Sequence, residues 1–503
     1  MSGTGATSAT RLMRCATVVL SASAIACASL PDPASGPGTA SGATRSRSDS
    51  ALVGRLLLAE DRRDSTDVAL REASAHQDPR IRLLAQRARG RIRDARFAAR
   101  DSIPALYAPA VWPEPAWRHR YRALAAARGN CAALRSALAD PSWPVRLRAT
   151  DLITVACAAD DSLATVLRGW IDELPADASR RQANGASWHG AAHAVIAFAR
   201  LRPLDAAPRA RALATHRQWQ VRMYAARAAA ALSDSVTLRQ LAQDSDAVVQ
   251  ETAIEALATL TPVDTALFLA ALRAEHAPVV RAAAVALKRT PVPAVRAAAN
   301  AMFDRWVARG NASERDVRVA LLEAAGRAPS DDQPPPSRYE LPPRAVALAL
   351  GTDIHLRVRM SSASGGGAFV VRLRGDAAPM MAARILALAR ARYYDGLTWH
   401  RVEHDFVIQG GSPGRSEYVG LARYLRDELG GVPHVRGTVG MSTRGHDTGD
   451  AQWFVNLRDN RRLDPDYTVF AQVIDGMDIV DGVLEGDVIA TIEEITVPPS
   501  SAR

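Results

Sequence analysis

Lysine is nearly absent from this chain: 63 residues are Lys or Arg, and Lys288 is the single lysine among them. The arginines are interleaved with Asp, Glu and Ala, so the formal charge of +10 never becomes a basic block. Without such a block, and without a zinc-finger spacing or aromatics placed to stack on bases, the charge gives no support to a nucleic-acid partner. The Ala- and Arg-rich usage reads as coding bias. Long apolar runs are lacking too, and the one near the N-terminus, Cys15 to Ala26, is too short to cross a bilayer as a helix. Glycine and proline are modest while 48% of residues are hydrophobic, which excludes a largely disordered chain. At 503 residues the length exceeds what one core holds and predicts two or three domains. Cysteine is scarce, four in all, and only Cys131 and Cys157 lie beyond residue 27.

What stands at the N-terminus is a secretory pattern. Arg11 and Arg14 precede the apolar run, which ends in "AIACAS" with the small Ala26 just before Cys27. This resembles a bacterial lipobox, in which the cysteine is lipidated after cleavage, although Ala24 stands where Leu is usual. Residues 1–27 are therefore expected to be a signal peptide with Cys27 as the lipidation site. The other possibility is an ordinary cleaved signal with Cys27 buried. Residues 28–50, rich in Pro, Gly and Ser, read as a flexible tether. The mature chain is expected in the periplasm or cell envelope, anchored to a membrane by lipid. An oxidising compartment allows a disulfide between Cys131 and Cys157, which flank the turn "DPSWP"; two buried thiols are the other possibility.

From 51 to 327 the sequence repeats. "DPRIRLLAQRA" (78–88), "DPSWPVRLRATDL" (140–152), "RQWQVRMYAARAA" (217–229) and "DSDAVVQETAIEAL" (244–257) each give a polar or Pro-containing turn followed by Ala and Leu at helical spacing. Anchors at Ile81, Trp117, Val145, Val221, Val249 and Val280 recur, for the most part, at roughly 30 residues, the period of a helix pair. One pair cannot bury its apolar face alone, so neighbours must stack into an all-α solenoid. The Val-Arg openings resemble HEAT repeats, a resemblance that implies an extended surface for clients or a partner protein. His189 and His193 lie one turn apart but have no carboxylate at ligand spacing, so they read as surface rather than a metal site. Residues 328–345, with "QPPPSRYELPP", read as a semi-rigid linker.

Beyond the linker the period changes from 3.6 to 2, as in "DIHLRVRM" (353–360) and "AFVVRLRG" (368–375), and strands are expected. "LTWHRVEHDFVIQGG" (397–411) contains His400, Glu403 and His404 in the H-x-x-E-H order of inverted zinc peptidases. That reading needs a helix. Val402, Phe406, Val407 and Ile408 favour a strand, Asp395-Gly396 is a turn signal and Gly410-Gly411 ends the stretch, so no metal site is expected.

The same stretch, extended to "YYDGLTWHRVEHDFVIQGG", is similar to the core of the cyclophilin-type peptidyl-prolyl cis-trans isomerases. Their hallmark reads F/Y-Y-[DN]-G-x-x-F-H-R-V-x-x-x-F-x-I-Q-G-G. The resemblance continues in order through "RDELGG" (426–431), "RGTVGMS" (436–442), "DAQWFVNL" (450–457) and "RLDPDYTVFAQVIDGMDIVDGV" (462–483). It implies that residues 346–499 form an eight-stranded antiparallel β-barrel with capping helices, binding proline-containing peptide segments in a groove and needing no cofactor. It also implies Arg401 as the catalytic cation, with Phe406, Gln409, Gln452 and Tyr467 beside it. Met441, Thr443, Phe454 and Leu463 are implied to complete the substrate pocket. Strand alternation sets Arg401 opposite in direction to His400, which reads as structural. Three departures stand out: Ser442-Thr443 replaces the common Ala-Asn, Arg462 lies where some members carry Trp, and the loop after Gly410-Gly411 is shortened to "SPGRSEYVGLARYL". The expected whole is an envelope isomerase whose repeats gather clients. The alternative is a non-catalytic scaffold whose barrel only binds Pro-containing segments.

Overall fold

The computed structural model describes residues 46–94, 106–107, 110–178, 187–260, 263–332, 340–430 and 432–496. The signal-like segment, Cys27 and most of the tether lie outside these residues, as does 333–339 of the Pro-rich stretch.

Eight strands form one antiparallel sheet: β1 (His355–Met360), β2 (Ala368–Leu373), β3 (Arg401–Val402), β4 (Val407–Gly410), β5 (Thr438–Met441), β6 (Trp453–Asn456), β7 (Val469–Asp475) and β8 (Ile489–Ile495). Their order is β3-β4-β6-β5-β7-β2-β1-β8. The sheet curls until its edges meet: the backbone N–H of Trp399 donates to the carbonyl of Asp487 (2.9 Å) and that of Ile489 to Leu397 (2.8 Å). Closure removes the exposed edges that an open sheet would leave. Phe369, Trp399, Ile408, Phe470 and Val473 fill the interior, and the helix Pro379–Arg390 packs Met381, Ile385 and Leu386 into the same core. That helix starts on the buried Glu428 carboxylate, which accepts the N–H groups of Met380 (3.2 Å) and Met381 (2.8 Å) and so satisfies two of its orphan donors.

The helical part is divided between two cores. Helices Arg47–Arg62, Val68–Ser74 and Pro79–Arg93 place Leu56, Leu57, Leu70, Ile81 and Leu84 in the core of the barrel. A separate core runs from Leu124 to Ala325. There the anchors Val145, Val221, Val249 and Val280 are all buried. Its second helices, Trp219–Ala231, Ala247–Leu257, Ala277–Leu287 and Arg315–Ala325, pack on one another in succession as well as on their own first helices. Alanines in these helices let the backbones approach. Short helices are closed by aspartate caps: Asp160, Asp234, Asp246 and Asp264 each accept a backbone N–H of the first turn.

Many of the arginines have work inside the array. Arg120 grips Asp140 with two bonds (2.6 and 2.9 Å), Arg209 grips Asp172 (2.7 and 2.9 Å) and Arg222 grips Asp244 (2.7 and 2.8 Å). The planar guanidinium matches both carboxylate oxygens at once, which a lysine cannot do. Usage that reads as coding bias in the sequence thus clamps successive turns together. The structure also joins Cys131, at the start of the helix Cys131–Ala137, to Cys157 in a disulfide with the Cα atoms 5.5 Å apart. The array lies against the barrel. His189 Nε2 donates to the carbonyl of Glu485 (2.7 Å), the Tyr224 hydroxyl donates to its carboxylate (2.8 Å), and Arg118 reaches Asp481 (2.9 Å). His193 holds Asp151 (2.6 Å) and faces Tyr224 (3.1 Å), so both histidines serve this seam.

Candidate active site

The stretch that spells H-x-x-E-H runs through the strand Arg401–Val402 into the turn before Val407–Gly410. Glu403 and Val407 close the hairpin, with the N–H of Glu403 donating to the carbonyl of Val407 (2.9 Å). His404 sits in the turn, its ring against Trp117 and Tyr121, each 6.0 Å between centroids. Burial pushes the imidazole of His400 down to about 4, helped by the neighbouring charge of Arg401, so it stays neutral at physiological pH. The two histidines do not share a helix face, and the metallopeptidase arrangement is not formed.

Antiparallel register builds the site instead. Arg401 on β3 is paired with Gln409 on β4, Gln409 with Phe454 on β6, and Phe454 with Gly440 on β5. Directly opposed residues share a face, so this row sets a cation, an amide and an aromatic ring side by side. Gly440 is what lets the ring lie across β5: a Cβ there would stand 2.3 Å from Cζ of Phe454. His434 stacks on Phe454 (5.8 Å, 19°) and Tyr467 meets it edge-on (5.8 Å, 84°). Burial lowers the pKa of His434, and Asp464 holds its Nδ1 at 3.0 Å. The resulting cleft holds about 90 Å³ and is lined by Arg401, Phe406, Val407, Gln409 and Phe454. Glu417, Ser442, Thr443, Leu463 and Tyr467 complete it.

Arg401 is held but not sequestered. One guanidinium nitrogen donates to Oε1 of Gln409 (3.3 Å), another pairs with Glu403, and the side chain remains 41% exposed. Its charge lies 5.8 Å from the Phe406 ring centre, and that of Arg462 lies 4.6 Å from the same ring. Two cations therefore flank the aromatic wall, where the sequence pattern points to only one.

One expected residue is placed elsewhere, and another reaches the site from behind. Met441 is fully buried in the barrel core: Gly440 faces the cleft, so alternation turns the next side chain inward. Val407, two residues before Gln409 on the same face of β4, lines the cleft in its stead. Gln452 lies behind the wall and holds it up. Its amide donates to the carbonyls of Glu417 (3.1 Å) and Val419 (3.0 Å), and its Oε1 accepts from Gln409 at 3.4 Å. Gln452, Gln409 and Arg401 thus form one chain of bonds that orients the guanidinium from behind. Sequence reasoning misses Val407, Glu417 and His434 as site residues, while Ser442, read at the groove edge with Thr443, lines the cleft. Period-two alternation from Gln409 identifies Val407; Glu417 arrives on an irregular loop and leaves no such signal.

Residues 356–497 match the family model described as cyclophilin type peptidyl-prolyl cis-trans isomerase/CLD. A peptidyl-prolyl cis-trans isomerase of Helicobacter pylori is 34% identical over 119 residues, which is 23% of this chain and 73% of that protein. Peptidyl-prolyl cis-trans isomerase B of Bacillus subtilis is 34% identical over 129 residues, 25% of this chain and 90% of that one. A solved cyclophilin type isomerase of Cryptosporidium parvum is 22% identical and is covered over 100% of its length by 29% of this chain, with a TM-score of 0.27. The chain belongs to the cyclophilin-type peptidyl-prolyl cis-trans isomerase family, by its C-terminal barrel.

Proposed function

We propose that the barrel isomerises X-Pro peptide bonds in proteins of the cell envelope, and that the chain is exported and lipid-anchored through Cys27. Rotation about a peptide bond faces a barrier of about 18–20 kcal/mol, because the C–N bond has partial double-bond character. No nucleophile or proton relay is required; the enzyme must bind the twisted form better than either planar isomer. In the twisted form the prolyl nitrogen loses conjugation and gains a lone pair. Arg401, permanently charged and oriented by Gln409, donates to that lone pair. Phe406, Val407, Phe454 and Leu463 seat the ring, and the Tyr467 hydroxyl donates to a substrate carbonyl. The observation that carries the reading is the register row Arg401–Gln409–Phe454, which sets the cation at the edge of an apolar slot.

Export is supported by the secretory pattern before Cys27 and by the Cys131–Cys157 disulfide, a bond that persists in oxidising compartments. The HEAT-like repeats are assigned to clients or a partner protein on the usual role of such arrays. The test has two arms. The chain from residue 46 onward should accelerate cis-trans exchange of a proline tetrapeptide, and absence of acceleration with retained peptide binding would leave the scaffold reading. In cells, Cys27→Ala should move the protein from the membrane fraction to the soluble one; no change in fractionation would overturn the anchor.

A further inference from the structure

The loop that carries Glu417 into the cleft is held from two sides. From the barrel, Ser412 Oγ donates to the carbonyl of Ser416 (2.6 Å), and Gln452 holds the carbonyls of Glu417 and Val419. From the array, four second helices reach it in succession. Trp219 lies under the guanidinium of Arg415 (4.4 Å), which also pairs with Asp246 (2.6 Å). Arg281 lies 3.7 Å from the ring centre of Tyr418 and is itself held by Glu251 (3.1 Å) and Glu255 (2.6 Å). Asp316 pairs with Arg444, the neighbour of the cleft residue Thr443. Arg444 also donates to the carbonyls of Glu417 and Ser313, the latter at 3.0 Å, and to the Tyr424 hydroxyl at 3.1 Å. The backbone N–H of Ala312 donates to the carbonyl of Ala422 (3.2 Å).

We propose that the helical array is a positioning element of the isomerase site: Arg281, Asp246 and Asp316, more than a hundred residues upstream, hold the 412–424 loop and Arg444 so that Glu417 and Thr443 form the cleft wall. None of the three touches the cleft. Each acts through a side chain that lies within one residue of a lining position or on the same short loop. Along these four helices one edge of the array is engaged with the chain's own loop and with Arg444. The loop has no helix or strand of its own from 412 to 424, so its conformation depends on these side-chain anchors. Irregular backbone pinned by few anchors samples other states when one is removed, and the ligand's apparent affinity then falls by the fraction of competent molecules.

The inference rests on the proline-binding cleft described above, and the experiment separates the two. Peptide dissociation constant, KM, kcat and amide hydrogen exchange over 412–424 are measured on the chain from residue 46 onward. Arg281→Ala and, as a less disruptive change, Asp246→Asn are expected to weaken peptide binding and raise KM about three- to tenfold with kcat nearly constant, the signature of lost ground-state positioning. Exchange should quicken over 412–424 and stay slow in β1 and β8, and Arg281→Lys should restore much of the binding. Arg239→Ala, which breaks an ion pair with Asp264 elsewhere on the array, should change none of these. Unaltered KM and peptide affinity in both Arg281→Ala and Asp246→Asn would overturn the proposal, whether or not exchange quickens. A wild-type chain that binds peptide without turnover would remove the isomerase reading, while the affinity shift would still decide this one.

Discussion

Removing Arg401 tests the catalytic assignment most directly. The side chain donates to Gln409 and pairs with Glu403, and at 41% exposure water screens part of its field. Loss of one preorganised transition-state donor typically costs about 10²–10³ in kcat, or about 2.7–4 kcal/mol. The exposure places Arg401 at the lower end, so Arg401→Ala should lose about a hundredfold in kcat. KM should barely move, because the nitrogen lone pair that Arg401 meets exists only in the twisted state. Arg401→Lys keeps the charge but cannot both hold Gln409 and reach the substrate, and should lose about tenfold, roughly half the free-energy loss of the alanine change.

Arg462 complicates the arithmetic usefully. Its guanidinium lies closer to the Phe406 ring than that of Arg401, 4.6 against 5.8 Å. If it lends part of its charge to the reacting bond, the rate left in Arg401→Ala falls further in the double variant with Arg462→Ala. The assay is exchange of a proline tetrapeptide followed by fluorescence or by NMR line exchange, with circular dichroism to confirm the fold. A folded Arg401→Ala chain with wild-type kcat/KM would refute the mechanism.

Three further outcomes follow from the geometry. Gly440→Ala sets a methyl 2.3 Å from Cζ of Phe454, so the ring must move; we expect a stability loss of about 1–3 kcal/mol and weaker peptide binding, read by denaturation and titration. Undiminished binding would mean that Phe454 is not part of the proline slot. Reducing the Cys131–Cys157 bond, which closes 26 residues, should lower the array's stability by about 3.5 kcal/mol on the chain-entropy account, and identical denaturation with and without reductant would contradict that account. Burial, with Glu255 beside it, pushes Glu251 up to about 7. Its folded value lies above its unfolded one, so the stability it contributes at low pH is lost as pH rises from about 4.5 through 7. Glu251→Gln removes that loss. The advantage of the variant in unfolding free energy, read by denaturant titration, should therefore be small at pH 5 and grow to about 1–3 kcal/mol at pH 8; a constant difference across that range would place the titration elsewhere.

Much of the cleft was legible because its residues lie on short strands whose pattern is distinctive. Arg401, Phe406 and Gln409 fall within nine positions, and alternation alone sets Arg401 and Gln409 on one face once the hairpin register is known. Alternation also explains the failure at Met441. The family pattern put an apolar residue in the pocket, but the neighbouring Gly440 must face the Phe454 ring, and that obliges Met441 to face the core. Gln452 reads from the sequence as a polar residue that steers Arg401, and its bond to Gln409 fits that role; its hold on the backbone at Glu417 and Val419 leaves no sequence signal, because that loop has no readable periodicity.

The helical part shows the opposite limit. Val145, Val221, Val249 and Val280 announce their burial through recurrence, yet recurrence does not say what a helix is buried against. Ile81 belongs to the same series and lies in the barrel core, because an apolar stripe at 3.6 spacing serves any flat apolar partner equally well. Ion pairs across the seam are less legible still. Arg415 meets Asp246 across 169 positions and Arg444 meets Asp316 across 128, and each of these residues has many equally charged neighbours nearer in sequence. Both pairs are part-buried, and their worth to the site depends on what they orient. Here both pairs end beside the cleft, one on the loop that carries Glu417 and one next to Thr443. A single arginine-rich composition therefore serves two different purposes: repetitive clamps that hold the array to itself, and a few unique ones that tie it to the rim of the site.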